Sequence, residues 1–500
     1  MTKAVDTSTA RRFRRTGERL LCCVLLANCG ETVHAPSRKS TLTSATDLHT
    51  PRTSEPAANT ATASRGVTEA SAAAATGDAG QSPPSATDAT SPAALVHPIA
   101  IEDPTGHAFN SFHAALRAIR TERRKVRIVF YGASHVAADF YTDVIRSRLQ
   151  AKFGDAGAGF VVPARPFGGY RNACIELEPA VGFRGVDVKA KAPAEDRYGL
   201  AGVYLRARQK PASAALATRP HDGLSGAASR FELYYLKQPR GGRVRVSIDG
   251  QLRRELSTSG RAPTAAYQTF DVSDGQHRFE LATAGDGLVQ IFGVAVERDA
   301  PGVVLDTLGI PGSRVAYQLL WDDAIYREHL TRRHPDLVAL AYGTNESGDD
   351  EPIEQYTADM RRVVARVREV APQASCLLIG PSDRPIAHDD GTWSERSRTA
   401  EIVNAQRAVA AEYGCGFFDL VAFMGGPSSM LRWMSSEPPL ATADHVHFTR
   451  RGYEELGRVL YEALMAGYAP AAAEASEAVP DSASSHMVLD TVAPGSIAQP

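Results

Sequence analysis

An excess of charge of either sign is missing from this sequence. Its 500 residues carry 55 Lys and Arg against 57 Asp and Glu, a formal net charge of −2. That balance gives no electrostatic case for a nucleic acid or a polyanionic surface as partner. Beyond the N-terminal segment there is no apolar run long enough to span a bilayer as a helix. Cysteine is scarce, with six residues in all. Once an N-terminal signal is set aside, Cys174, Cys376 and Cys415 remain, besides Cys29. Their wide spacing gives neither a disulfide framework nor a metal motif. Cys376, in the apolar run Cys376–Ile379, reads as plain core. What the chain does have is a globular share of hydrophobic residues, 43%, and length enough for two or three domains.

The ends read as non-globular. Arg11, Arg12, Arg14, Arg15 and Arg19 precede the short apolar run Leu20–Ala27, the pattern of a secretory signal. The ending Leu26-Ala27-Asn28-Cys29 resembles a bacterial lipoprotein signal, with Cys29 as the lipidated residue. Residues 1–29 are therefore expected to be a signal segment. Residues 30–98, rich in Ser, Thr, Ala, Pro and Gly, read as a disordered spacer, and 469–500 as a tail of the same kind.

Between them the texture is α/β, then β, then α/β. Val126, Ile128, Val129 and Phe130 form a buried-strand pattern that runs through Gly132 and Ala133 to Ser134. Helical spacing follows over Asp139–Phe153, and an amphipathic helix is expected over His107–Arg120. From about Gly169 to Val296 short alternating runs and turns predict a β-sandwich, with Asp249-Gly250 as a hairpin turn. Strands are then expected at Val303–Leu308, Asp336–Tyr342, Ser375–Gly380 and Gly416–Val421. Helices are expected at Val315–Tyr326, Ile353–Val370, Glu395–Tyr413 and Arg450–Met465. Such alternation means a parallel sheet with helices on both faces. The expected division is 99–169 and 301–468 for the α/β domain, with 170–300 an inserted β module that folds separately.

The chemistry collects at the strand ends. Ser134, Gly312 and Asn345 each follow a strand, and Asp444 and His447 follow the last one. In a parallel sheet all of these junctions share one edge. A hydroxyl, an imidazole and a carboxylate there can act as nucleophile, base and orienting group. The N–H groups of Ser134 and Gly312 and the Asn345 amide can hold an oxyanion. The bland alternatives are that Ser134 only caps a helix and that Asn345 is an ordinary turn residue. His445 competes with His447 as the base.

Taken together, the blocks Gly132-Ala133-Ser134, Gly309-Ile310-Pro311-Gly312, Gly343-Thr344-Asn345-Glu346 and Asp444-His445-Val446-His447 resemble those of SGNH (GDSL-type) hydrolases. Ala133 and Glu346 each stand where the family usually has Asp. A Gly-x-Ser-x-Gly elbow is not present at Ser134. More narrowly, Gly132–Val161, Met424-Gly425-Gly426 and Asp444–Gly457 resemble bacterial peptidoglycan O-acetylesterases, which carry a carbohydrate-binding-like β module in the same place. The resemblance implies an SGNH-hydrolase (flavodoxin-like) sheet flanked by helices, with an inserted β-sandwich. It implies a Ser134–His447–Asp444 triad, an oxyanion hole at Ser134, Gly312 and Asn345, and no metal or organic cofactor. The implied partner is an O-acetylated glycan polymer, most directly peptidoglycan. The membrane would be met only through a lipid on Cys29, and the protein would be exported to the periplasm or cell envelope. The alternatives are an O-acetylesterase for another polysaccharide, a general short-chain esterase, and an inactive glycan-binding surface lipoprotein. Within the module, Arg240, Arg243, Arg245, Arg253 and Arg254 surround the Asp249-Gly250 turn. They read as a solvated face or, more sharply, as a carboxylate-binding one.

Overall fold

The computed structural model describes residues 91–189, 197–208 and 211–469. The expected signal segment with Cys29, most of the spacer and nearly all of the tail lie outside the described residues. Packing begins before the expected Ile99. Leu95 and Val96 are buried, and the Leu95 carbonyl accepts from the Trp433 indole at 3.2 Å.

Five parallel strands form the central sheet: β1 (Lys125–Gly132), β2 (Gly302–Gly309), β3 (Leu337–Ala341), β4 (Ser375–Ile379) and β5 (Gly416–Phe418). Their spatial order is β2-β1-β3-β4-β5, the doubly wound order in which the chain reverses direction beside β1. Both faces are covered, so the strands are mostly apolar runs rather than alternating with polar residues, with Asp306 and Thr307 of β2 among the buried exceptions. Val126, Ile128 and Phe130 pack on one side with Phe112, Leu116, Ile145, Leu149 and Leu456. Those come from the helices Asn110–Thr121, Tyr141–Phe153 and Arg450–Met465. Val129 and Tyr131 pack on the other side with Leu330, Met360, Val363, Ile402 and Val409. Those come from the helices Asp323–Arg333, Ile353–Val370 and Ser397–Tyr413.

Two departures from the expected elements have local causes. The helix expected over Val315–Tyr326 is broken: a 3-10 segment Val315–Leu320 ends at Trp321, and the α-helix starts at Asp323. Asp322 intervenes as N-cap, its carboxylate accepting from Ile325 N–H at 3.0 Å. The last strand is likewise short, because Asp419 caps a new helix at Leu420–Phe423.

Between β1 and β2 in sequence lie two antiparallel sheets. Phe231 of one stacks on Phe279 of the other at 5.4 Å. The Asp249-Gly250 turn joins Arg243–Ile248 to Gln251–Ser257 with both turn residues left-handed, φ 55° and 74°, as a two-residue hairpin requires. Gly159–Val161, expected in the α/β part, pairs instead with Val289–Glu297 of this region.

The region packs closely onto the α/β part. Its core is continuous with the second face of the parallel sheet. Buried Arg333 bridges Asp306 of β2 (2.8 and 2.9 Å) and Glu297 at the end of the antiparallel region (2.7 Å). Glu297 also takes Lys125 and Arg127 of β1, each at 2.9 Å. Burial raises the Glu297 carboxyl, but Arg333, Arg127 and Lys125 outweigh it and hold the group well below its ordinary value. Two of the five arginines of the hairpin have carboxylate partners: Arg243 pairs with Glu255 and Asp286, and Arg245 with Glu255.

One further correction concerns cysteine. Cys376 and Cys415 form a disulfide. Cys376 is core, as expected, but it is bonded core. The register that sets Leu377 beside Gly416 brings the two preceding residues together across β4 and β5. Their separation of 39 residues, filled by a helix, hid the pairing.

Candidate active site

Sheet register brings the blocks to one level. Gly132 at the end of β1 pairs with Gly309 of β2 and with Ala341 of β3. Serine, glycine and asparagine blocks therefore emerge side by side at the carboxyl edge. Contact there is close enough to demand glycine. A Cβ on Gly132 would lie 2.7 Å from the Ala341 carbonyl oxygen, and one on Gly309 only 2.1 Å from Ala137 N. Ile310 N–H closes the seam by donating to the Gly132 carbonyl at 3.0 Å.

Ser134 is the first residue of the short helix Ser134–Ala137, and Ala133 occupies the N-cap. The capping reading therefore fails: the hydroxyl is not spent on the helix end. It meets His447 Nε2 at 2.7 Å. His447 Nδ1 lies 2.6 Å from Asp444 Oδ2. The other Asp444 oxygen accepts from the Thr442 hydroxyl (2.7 Å) and from the N–H groups of Val446 (3.0 Å) and His447 (2.9 Å). Partial burial raises this carboxyl, but the hydrogen bonds from His447 and its neighbours prevail and hold it far below the usual carboxylate range. An ionised Asp444 fixes His447 with Nδ1 protonated and leaves Nε2 to accept from Ser134. This is the order needed for nucleophile, base and orienting carboxylate.

The structure separates the two histidines. His445 adopts a left-handed backbone, φ 58°, and its ring stacks on Trp393 with centroids 4.1 Å apart. It is His447 that reaches Ser134. Behind Ser134, buried His135 lies 5.5 Å from the His447 ring. Its nitrogens meet Tyr453 Oη at 2.8 Å and Ser382 Oγ at 3.1 Å. Burial, with His447 close by, pushes its pKa down to about 3. It is therefore neutral and does not oppose a proton on His447.

The turn after the serine helix is anchored by Asp139, fully buried, which accepts from Arg146 at 2.7 Å and from Thr307 of β2 at 2.9 Å. On the opposite flank, Asn345 Nδ2 donates to the Ser313 carbonyl at 2.9 Å. That bond engages one of the amide's two N–H groups. Gly312 has φ 73°, a conformation suited to glycine. Glu346 ties the glycine and asparagine blocks together, accepting from Val315 N–H at 2.8 Å and Gly343 N–H at 3.0 Å.

Sequence reasoning missed several neighbours. Lys189, from the antiparallel region, donates to the Pro311 carbonyl at 2.5 Å, so that region touches the glycine block. Ser382 and the hairpin carrying Trp393 follow β4. The turn dipeptide Asp390-Gly391 was the available signal for that hairpin.

Comparisons with known proteins bear on the fold and on the class of enzyme. The GDSL-like Lipase/Acylhydrolase family matches residues 272–455. The match omits Ser134, which the antiparallel region separates from the rest of the domain. No curated protein sequence matches the chain. Among solved structures, a peptidoglycan O-acetylesterase superposes with a TM-score of 0.61 at 25% identity, over 73% of this chain and 98% of the other. An acetyl xylan esterase matches at 17% identity and a TM-score of 0.25, over 32% of this chain and 80% of its own. A family two carbohydrate esterase from Cellvibrio japonicus matches at 12% and 0.23, over 58% and 98%. The chain thus has an SGNH-hydrolase fold resembling that of peptidoglycan O-acetylesterases, carries a GDSL-like acylhydrolase domain, and is a carboxylic ester hydrolase.

Proposed function

We propose that the protein removes O-acetyl groups from a cell-wall polysaccharide, peptidoglycan foremost, through Ser134, His447 and Asp444. The observation that carries this reading is the continuous hydrogen-bond chain from Ser134 Oγ through His447 to Asp444. The 25% identical peptidoglycan O-acetylesterase, which this chain covers almost entirely, supports the substrate class.

Ser134 Oγ attacks the acetyl carbonyl carbon while His447 Nε2 takes its proton. The carbonyl oxygen becomes an oxyanion, met by the N–H groups of Ser134 and Gly312 and by the Asn345 amide. Ser134 opens its helix, so its N–H has no partner within that helix. The tetrahedral intermediate collapses, His447 returns the proton to the departing sugar hydroxyl, and acetyl-Ser134 remains. Water attacks the acyl carbon as His447 takes its proton; the second tetrahedral intermediate expels Ser134 Oγ, to which His447 returns that proton, and acetate leaves. Asp444 stays ionised throughout and stabilises the imidazolium.

The protein is proposed to be exported and anchored at the envelope through a lipid on Cys29. The basic and apolar N-terminal pattern supports export, and the Cys376–Cys415 disulfide suits an oxidising compartment. The test of the substrate is acetate release from O-acetylated peptidoglycan against O-acetylated xylan, with Ser134→Ala as the blank. Faster release from peptidoglycan is expected. Preference for xylan, or turnover of small esters alone, would overturn the substrate assignment.

A further inference from the structure

The hairpin after β4 ends in an exposed aromatic surface beside the site. The chain leaves the carboxyl edge at Ser382 and returns as Trp393-Ser394, paired with Ala387 and Ile386. The turn is held from within. Asp390 Oδ1 accepts from the Thr392 N–H at 2.9 Å and hydroxyl at 2.7 Å, and His388 Nε2 lies 2.8 Å from Ser394 Oγ. Its root is fixed to the asparagine block, where Arg384 donates to the Thr344 carbonyl at 3.2 Å.

Trp393 is 37% exposed, while Trp321 and Trp433 are buried. The His445 ring covers one face of its indole at an interplanar angle of 27°, and the residue still keeps over a third of its surface exposed. A large aromatic kept out of the core on a braced hairpin is a surface for a ligand with an apolar face. His445 precedes His447 by two residues, which span at most about 7 Å of backbone. The indole is thereby tied, through His445, to the short loop that carries His447. We propose that Trp393, backed by His445, is a stacking platform for a pyranose ring of the glycan chain next to the sugar whose acetyl ester lies at Ser134. The axial C–H face of such a ring is apolar and its rim hydroxylated, which suits a partly exposed indole. This inference rests on the polysaccharide reading above.

The test compares kcat/KM on O-acetylated peptidoglycan with that on 4-nitrophenyl acetate, using the full chain. Trp393→Ala is expected to lower the polymer-to-small-ester ratio at least tenfold, through KM on the polymer, and Trp393→Phe to restore most of it. An unchanged ratio overturns the platform, whether both rates persist or both fall together, since the latter marks Trp393 as a mere buttress of the His445 loop. A second readout does not need turnover. In a Ser134→Ala background, soluble O-acetylated peptidoglycan fragments should shift the tryptophan emission saturably. The shift should vanish in Ser134→Ala/Trp393→Phe. A shift that persists there refutes the proposal. If the wild type releases no acetate from any polysaccharide, the catalytic reading fails, and the emission titration still decides the platform.

Discussion

Replacing Glu346 by Gln tests how the glycine and asparagine blocks are held in register. The carboxyl is buried and accepts from Val315 N–H and Gly343 N–H. Burial is the dominant influence on it. The N–H donors and nearby Arg314 pull the other way, and the net result lifts the group from its ordinary 4.5 to about 7. A folded-state pKa raised above the unfolded one means stability that is full below 4.5 and is lost as the pH rises through 7. At about 1.4 kcal/mol per pH unit, that gap is worth about 3 kcal/mol. Glu346→Gln has no proton to lose, so its stability should fall less over the same window. Its level is also shifted, because an amide –NH2 now faces a backbone N–H, at a cost of about 1–3 kcal/mol. The slope, not the level, is the decisive quantity. Urea unfolding of both proteins at pH 4.5 and pH 8 gives a double difference in which every other titrating group cancels. The wild type should lose about 3 kcal/mol more than the variant. Parallel pH profiles would refute the reasoning, and so would a steeper loss in the variant.

Three other outcomes follow from the same geometry. Ser134→Ala should abolish turnover of a chromogenic acetate ester with unchanged thermal unfolding, and activity within a few-fold of wild type would exclude the nucleophile. His447→Ala should cost on the order of 10⁴ in kcat. His445→Ala should cost at least about a hundredfold less, since its ring faces Trp393 rather than Ser134. Equal losses would mean that the wrong imidazole was chosen. Removing the disulfide with Cys376→Ala/Cys415→Ala opens a loop of 39 residues. The chain-entropy estimate for that loop is about 4 kcal/mol, read as a lower urea midpoint than oxidised wild type. A loss under about 1 kcal/mol would show that the crosslink constrains little.

Ser134, Gly312 and Asn345 could be picked out from sequence because each closely follows a strand, and parallel strands deliver their ends to one edge. Asp444 and His447 lie beyond two short helices after β5, so it was their three-residue spacing and the motif blocks that singled them out. Spacing favoured His447 over His445, since Asp444 is three residues from His447 but adjacent to His445; the structure adds that the His445 ring lies on Trp393. The disulfide was out of reach. Spacing along the chain says nothing about Cys376 and Cys415 until the β4–β5 register is known. Lys189 and Trp393 come from segments with no periodic signal, so their approach to the site depends on tertiary packing alone. The close packing of the antiparallel region on the parallel sheet was not legible either, because an alternating strand pattern shows that one face is buried, not what buries it.

The continuous core between the antiparallel sheets and the second face of the parallel sheet has a consequence for how this enzyme can be cut or recombined. Excising the region between β1 and β2 would uncover Tyr131, Leu308 and Val338. It would also leave Arg333 and Asp306 without Glu297 and the Phe160 N–H respectively. A buried arginine stripped of one carboxylate costs several kcal/mol, a large part of the stability of an ordinary domain. The two parts should therefore melt in one cooperative transition, and a minimal esterase made by deletion should not fold.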